Sequence, residues 1–249
     1  MMLGVCDMKR HGIVVLLLLA SFLSACADIP PEARSENDPW EPVNRTVYGF
    51  NQAVDGVTLK PLAKGYEKVL PQPVRRSITN FSRNLFTPSS ALNNFLQGKP
   101  DGGFGELTRF VFNSTFGIGG LFDVAAAAGL EPRREDFGQT AAVWGVPAGP
   151  YVELPFLGPR TLRHAVLLPL EILADPLHHY DETSVQEKIW FLRLIELRAR
   201  VLPAEKLLED SKDRYITIRE SFLQYREYEI YDGYPPEDDE FFDEFLDEE

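Results

Sequence analysis

Few side chains in this sequence have the type and spacing for chemistry, and together they do not make a catalyst. A Gly-x-Ser-x-Gly nucleophile turn is absent, and His164, the one histidine near the apolar centre of the chain, has no obvious serine partner. His178, His179 and Asp181 invite a metal reading, but adjacent histidines project in different directions and no second cluster exists, so no metal is expected. The glycines of Gly117-Ile118-Gly119-Gly120 have the wrong spacing for a dinucleotide loop and follow no strand. No cofactor is expected, and the chain reads as a non-enzyme. Three other features could handle a ligand. Lys188, Arg193 and Arg198 carry donors that grip phosphate, or else form a solvated helix face. Asn113, between Phe112 and Phe116, is either a buried amide satisfying a loose backbone carbonyl or a polar rung for a ligand. Cys26 is the third, and its neighbours indicate its fate.

Lys9 and Arg10 precede an apolar run from Ile13 to Phe22, and Leu23-Ser24-Ala25-Cys26 follows. That order is a secretory signal, too short to span a membrane, and its Leu-small-small-Cys end resembles the bacterial lipoprotein signal. Residues 1-25 are therefore expected to be removed, leaving Cys26 as an acylated amino terminus and lipid anchor. Several acyl chains, at about 0.8 kcal/mol per buried methylene, anchor a protein permanently. Ala27 rather than Asp follows the cysteine, which by resemblance to lipoprotein sorting signals favours the outer membrane. Cys6 leaves with the signal, so disulfides, thiolate metal sites and cysteine nucleophiles are excluded.

With 249 residues, 44% of them apolar, the chain can bury a sizeable core. A net charge of −13 argues against nucleic acid, because neutralising phosphates needs surplus Lys and Arg. The excess is local: Asp232 to Glu249 holds ten acidic residues and no basic one. This tail, 232-249, is expected to be a disordered solubilising segment. Phe241, Phe242, Phe245 and Leu246 fall at helix-like spacing within it, which leaves a helix-in-groove anchor for a basic partner as the alternative.

The elements that must position these residues are helical. After a tether, 26-37, Asp38 is expected to cap a helix with Pro39 and Pro42 at its start and Val43, Val47, Phe50, Val54 and Val57 as its stripe. Pro61 and Pro73 begin further helices, Thr87-Pro88 is expected to break the second of these, and Asp101 to cap the next. The centre of the chain, Gly105 to Arg163, is the unusual part. Phe110, Val111, Phe112 and Phe116 are apolar on every side of a helix, which must then be buried or set against lipid. After a glycine corner the run resumes from Leu121 to Leu130, and neither half approaches the roughly 20 apolar residues of a membrane span. Trp144 to Pro159 carries four prolines and three glycines, which predicts an irregular apolar loop; Tyr151–Leu154 is its best strand candidate, and a weak one. Irregular backbone beside lipid is tolerated where it lines a cavity or is covered by protein. Further on, Pro169 is expected to kink an apolar helix, and Ser184 with Glu187 forms a capping-box pattern ahead of Trp190, Phe191, Leu194 and Leu197. A last helix carries Tyr215, Ile218, Phe222 and Tyr225. The reading is one mainly α domain of many short helices, 38-231.

Four segments now stand out: DPWEPVNRTVYGFN (Asp38–Asn51), RFVFNSTFGIGGLFDVA (Arg109–Ala125), EDFGQTAAVWGVPAGPYVELPFLGPRTLR (Glu135–Arg163) and DRYITIRESFLQYREY (Asp213–Tyr228). In this order they resemble the MlaA/VacJ family of outer-membrane lipoproteins. The resemblance implies a ring-like single domain in the periplasmic leaflet of the outer membrane of a Gram-negative bacterium, with a central amphipathic channel. It implies retrograde phospholipid transport: mislocalised phospholipid leaves the outer leaflet and passes to a periplasmic carrier, which maintains lipid asymmetry. It implies as partners porin trimers, an MlaC-type soluble carrier and, indirectly, an inner-membrane ABC transporter. Phe50, Asn51, Asn113, Gly145, Gly149 and Tyr151 are then the candidate channel or gate residues, with Lys188, Arg193 and Arg198 as headgroup contacts. A different class of function remains: a lipoprotein that braces porins or the envelope without moving lipid. The acidic, Phe-rich tail departs from the family pattern.

Overall fold

The structure, a computed structural model, describes residues 35, 37–205, 208 and 211–236; Cys26, most of the tether and the tail beyond Pro236 lie outside the described residues. The chain is mainly α. In order come α1 (Glu41–Val57), α2 (Leu59–Val69), α3 (Gln72–Leu96), α4 (Pro100–Thr115), α5 (Val124–Ala127) and α6 (Phe137–Val143), then the strands β1 (Tyr151–Leu154) and β2 (Gly158–Thr161), then α7 (Leu162–Ala174), α8 (Thr183–Val201) and α9 (Arg214–Ile230). No helix among the described residues is long and apolar enough to cross a membrane.

The chain divides into two compact units. The first takes in residues up to Thr79, Ala148–Val166 and Glu182–Tyr215; the second takes in Asn80–Pro147, Leu167–Asp181 and residues from Ile216 on. In the first, α1 packs on α2 and on β1, and α2 packs on α8. In the second, α4 packs on α5.

Several boundaries differ from the sequence-based expectation, each for a physical reason. Asp38 does not cap α1; Trp40 holds that position, with Pro42 and the acidic Glu41 supplying the favourable first turn. Asp38 is instead fully buried, where its carboxylate accepts from Asn44 Nδ2 at 2.7 Å and from the Tyr215 hydroxyl. A buried carboxylate needs donors more than a helix end needs a cap. Pro88 does not break its helix, and α3 runs through it. An interior proline costs about 3 kcal/mol, but side chains around it are tied across the second unit. Asn84 Nδ2 donates to Ser114 Oγ at 3.0 Å, Ser90 Oγ to the Arg133 carbonyl at 3.0 Å, Asn94 Nδ2 to the same carbonyl at 2.8 Å, and Thr140 Oγ1 to Asn93 Oδ1 at 2.7 Å. Lys99, not Asp101, precedes α4 as its cap residue. α8 begins at Thr183, so Ser184 falls inside it and no side chain caps it. The proline-rich loop contains an antiparallel hairpin, with Tyr151 opposite Thr161 and Leu154 opposite Gly158. In a two-stranded ribbon each strand keeps an unpaired edge, where Pro159 is tolerated.

The interior is unusual in content. Among the described residues no Phe, Val, Ile or Trp is buried; the buried apolar side chains are five alanines, Leu177, Tyr151 and Tyr215. The buried polar and charged residues are more numerous and larger, among them Asn44, Asn84, Asn93, Asn94, Glu106, Arg109, Asn113, Gln139, Glu153, Glu196 and Arg226. Packing is correspondingly close around the polar side chains. Gly120 has φ +90°, and a Cβ there would lie 2.5 Å from Asn84 Cβ. Gly119, at φ +67°, faces open space. Gly120→Ala should therefore destabilise the protein by about 1–3 kcal/mol or more, and Gly119→Ala by less. Chemical denaturation of the two variants in detergent checks this, and equal losses would contradict it.

Candidate functional site

Helix α1 presents two amides seven residues apart, on one face two turns apart. Both are engaged by the hairpin. Asn44 Nδ2 donates to the Tyr151 carbonyl at 3.0 Å as well as to Asp38, and its Oδ1 accepts from the Glu153 amide at 3.0 Å. Asn51 Nδ2 donates to Glu153 Oε1 at 2.9 Å and to the Leu154 carbonyl at 3.0 Å, while its Oδ1 accepts from the Phe156 amide at 2.8 Å. Each side chain thus gives β1 the donor and acceptor that a neighbouring strand would give. The far end of β1 is tied to the tether junction, where the Tyr151 amide donates to the Asn37 carbonyl at 2.7 Å. Tyr151 is 0% exposed; its hydroxyl donates to Glu153 Oε2 at 2.7 Å, and its ring meets that of Tyr215 edge-on at 6.1 Å. Arg45 lies over the Tyr215 ring at 4.5 Å and pairs with Glu41 and Asp213, each at 2.7 Å. At the turn, Phe50 meets Phe156 edge-to-face at 5.3 Å, and Phe156 is 70% exposed with φ +64°.

In the second unit, α4 carries its polarity inward. Gly102, Gly103, Glu106, Arg109 and Asn113 are buried along one helical stripe, while Phe104, Leu107, Val111 and Phe112 are exposed. Arg109 forks onto Asp123 at 3.0 and 3.1 Å and donates to the Leu130 carbonyl. Asn113, 6% exposed, donates to Asp123 Oδ1 at 3.0 Å and accepts from the Ala125 amide at 3.0 Å. Its amide therefore closes the glycine corner, bonding a backbone N–H rather than a carbonyl. The corner itself is apolar and outward: Phe116 is 73% exposed, Ile118 64% and Phe122 53%.

The structure brings Phe50, Asn51 and Tyr151 together at the hairpin, with Tyr151 inside it rather than on a surface. Gly149, at φ +65°, precedes β1, and a Cβ there would meet Leu162 Cβ at 3.0 Å. Gly145, at φ +87°, ends α6, donating its amide to the Ala142 carbonyl at 2.8 Å. Lys188, Arg193 and Arg198 do not converge. Five-residue steps set successive side chains about 140° apart around a helix. Arg198 is already held by a bidentate pair with Asp55 at 2.7 Å and by Glu205, and Lys188 is exposed. His178 and His179 lie in a 3-10 turn with rings edge-to-face at 5.6 Å. The roles of Asn44, Glu153, Asp38 and Tyr215 were not anticipated, although the seven-residue Asn44–Asn51 spacing was there to be read.

The first unit, with its amide-braced hairpin, and the second, with its outward-facing apolar corner, are those of a helical protein built to keep polarity inside. A family model described as MlaA lipoprotein matches residues 36–229, and the chain belongs to that family. It is 38% identical over 220 residues to an intermembrane phospholipid transport system lipoprotein MlaA from Shigella flexneri, covering 84% of each chain. It is 37% identical over 216 residues to the protein of that name from Escherichia coli K12, again over 84% of each. A solved chain from work on the structural basis for maintenance of bacterial outer membrane lipid asymmetry superposes with a TM-score of 0.66 at 37% identity, over 79% of this chain and all of that one.

Burial raises the Glu153 carboxyl above its ordinary 4.5, outweighing the hydrogen bonds from Tyr151 and Asn51 that favour its charge. The folded state then holds this proton more tightly than the unfolded chain. Stability from this group is lost as pH rises from about 4.5 through the raised value, because the unfolded chain ionises first. Glu153→Gln should abolish that loss, so its stability relative to the parent should grow across the same window in denaturation at stepped pH. A difference that stays constant or shrinks would contradict it.

Proposed function

We propose that this chain is a lipid-conducting lipoprotein, anchored through Cys26 in the periplasmic leaflet of the outer membrane, that takes mislocalised phospholipid from the outer leaflet and passes it to a soluble periplasmic carrier. The observation that supports this most is the inversion on α4 and the corner after it. Arg109 and Asn113 are buried and hydrogen-bonded, while Val111, Phe116, Ile118 and Phe122 stand exposed. Keeping apolar surface in water costs about 25 cal/mol per Å2; against acyl chains that cost disappears, while Arg109 and Asn113 find their partners within the fold. The names of the Shigella and Escherichia relatives support phospholipid as the cargo.

In this reading Gly145 and Gly149 absorb the backbone change of a gate, and Phe50 and Asn51 lie on a helix lining the lipid's path. Porin trimers, an MlaC-type carrier and an inner-membrane ABC transporter complete the route. Phospholipid in the wrong leaflet is high in free energy, so passage through the protein runs downhill and needs neither a nucleotide nor a catalytic residue.

The experiment is photo-crosslinking from Val111, Phe116 and Phe122 in intact membranes containing labelled phospholipid. Lipid adducts are expected at all three, with none from exposed Lys64 on α2. Adducts with protein alone at the three apolar positions would sink lipid conduction and leave a bracing role.

A further inference from the structure

Helix α3 opens with Arg75 and Arg76 in its first two turns and has no acidic residue in the first. A helix amino terminus carries partial positive charge and favours anions, so two guanidiniums there oppose the helix dipole unless an anion joins them. Both border a cavity of about 190 Å3 within the first unit, lined also by Tyr66, Glu67, Thr79, Glu196 and Arg200. Some of these charges are matched. Arg75 pairs with Glu67 at 3.0 Å and Arg200 with Glu196 at 2.8 Å, while the Thr79 hydroxyl donates to Glu196 at 2.6 Å. Arg76 makes no ion pair among the described residues, which leaves the lining with one positive charge in excess. Two buried polar atoms of lining residues, the Tyr66 phenol oxygen and Arg75 Nε, have no hydrogen-bond partner among the described residues. The same phenol lies within the electrostatic reach of Glu196, whose charge is matched by Arg200, and of Arg75 and Arg200 themselves. Buried donors are nearly always satisfied. Arg76, Arg75 Nε and the Tyr66 phenol thus offer the cavity positive charge and donors suited to a small group that carries negative charge and accepts several hydrogen bonds.

We propose that this cavity binds a phosphate group, gripped by Arg76 and Arg75 with the Tyr66 hydroxyl donating to it. Phosphate matches guanidinium donors bidentately and has oxygens left for a phenol. At about 190 Å3 the cavity falls below the roughly 300 Å3 at which pockets for drug-sized ligands begin, so it suits a headgroup and not a whole lipid. The phosphodiester of a phospholipid and free inorganic phosphate share this chemistry. Only the choice of lipid as one source rests on the function proposed above.

The test is calorimetric titration of the full-length acylated protein in a phosphate-free detergent. The probes are inorganic phosphate and dihexanoyl-phosphatidylglycerol, with dihexanoylglycerol as the phosphate-free control. Saturable binding of at least one phosphate probe is expected, weakened about tenfold or more by Arg76→Ala and by Tyr66→Phe and partly restored in Arg76→Lys. Binding of the diester alone identifies a headgroup subsite. Binding of inorganic phosphate alone identifies a free-anion site and leaves lipid conduction to stand on its crosslinks. No binding of either probe, equal binding of the control, or binding indifferent to both substitutions overturns the proposal. Arg76 is exposed, and helical content measured by circular dichroism verifies that the variants fold.

Discussion

Polar groups taken into the interior of this chain must be met by other polar groups, and that constraint arranges the rest. With its large apolar side chains outside, the protein has little hydrophobic interior to fall back on. Its cohesion comes from amides and ion pairs that match one another in detail. Asn44 and Asn51 complete the hairpin, Asn93 and Asn94 fasten α3, Arg109 pairs with Asp123, and Arg226 pairs with Asp136 and Glu229, both at 2.7 Å. Each such bond adds only about 0.5–1.5 kcal/mol net, but removing one partner strands the other at about 1–3 kcal/mol. The interior is thus a specificity device: one arrangement satisfies it and near neighbours do not.

A consequence is that the point where the tether enters the fold is mechanically tied to the hairpin. Asn37 ends the tether and Asp38 follows it, and both reach the same strand, Asp38 through Asn44 and Asn37 through the Tyr151 amide. The hairpin tip is the contrasting part, with Phe156 exposed at φ +64°, its backbone amide donating to Asn51 Oδ1 and its ring meeting that of Phe50.

Much of this was legible in the sequence, and the failures share a cause. Proline-started helices, the glycine corner after Phe116 and the mainly α class follow from local chemistry, which the fold obeys. Asp38, Pro88 and Ser184 misled because local rules assume that a short polar side chain serves its nearest helix end and that a proline ends a helix. Asp38 serves Asn44 and Tyr215, and α3 survives Pro88 because side chains far along the chain hold both flanks. The hairpin was hidden for a similar reason: the partners that stabilise β1 are side chains of a helix about a hundred residues earlier. For the candidate site, Phe50 was legible as part of the α1 stripe, and Asn51 beside it was singled out only by the family resemblance. Lys188, Arg193 and Arg198 stand five residues apart, a spacing that scatters their side chains around α8. The burial of Tyr151 was not legible, because nothing local indicates that Glu153 would accept its hydroxyl.

The account depends on the exposed apolar corner lying in hydrocarbon. Spin labels at Phe116, Ile118 and Phe122, in acylated protein reconstituted into phospholipid vesicles, report this through their collisions with oxygen and with a water-soluble nickel chelate. The account predicts that oxygen dominates at all three positions and the chelate at Lys64 and Lys68. Labels at the corner that collide freely with the chelate would contradict it.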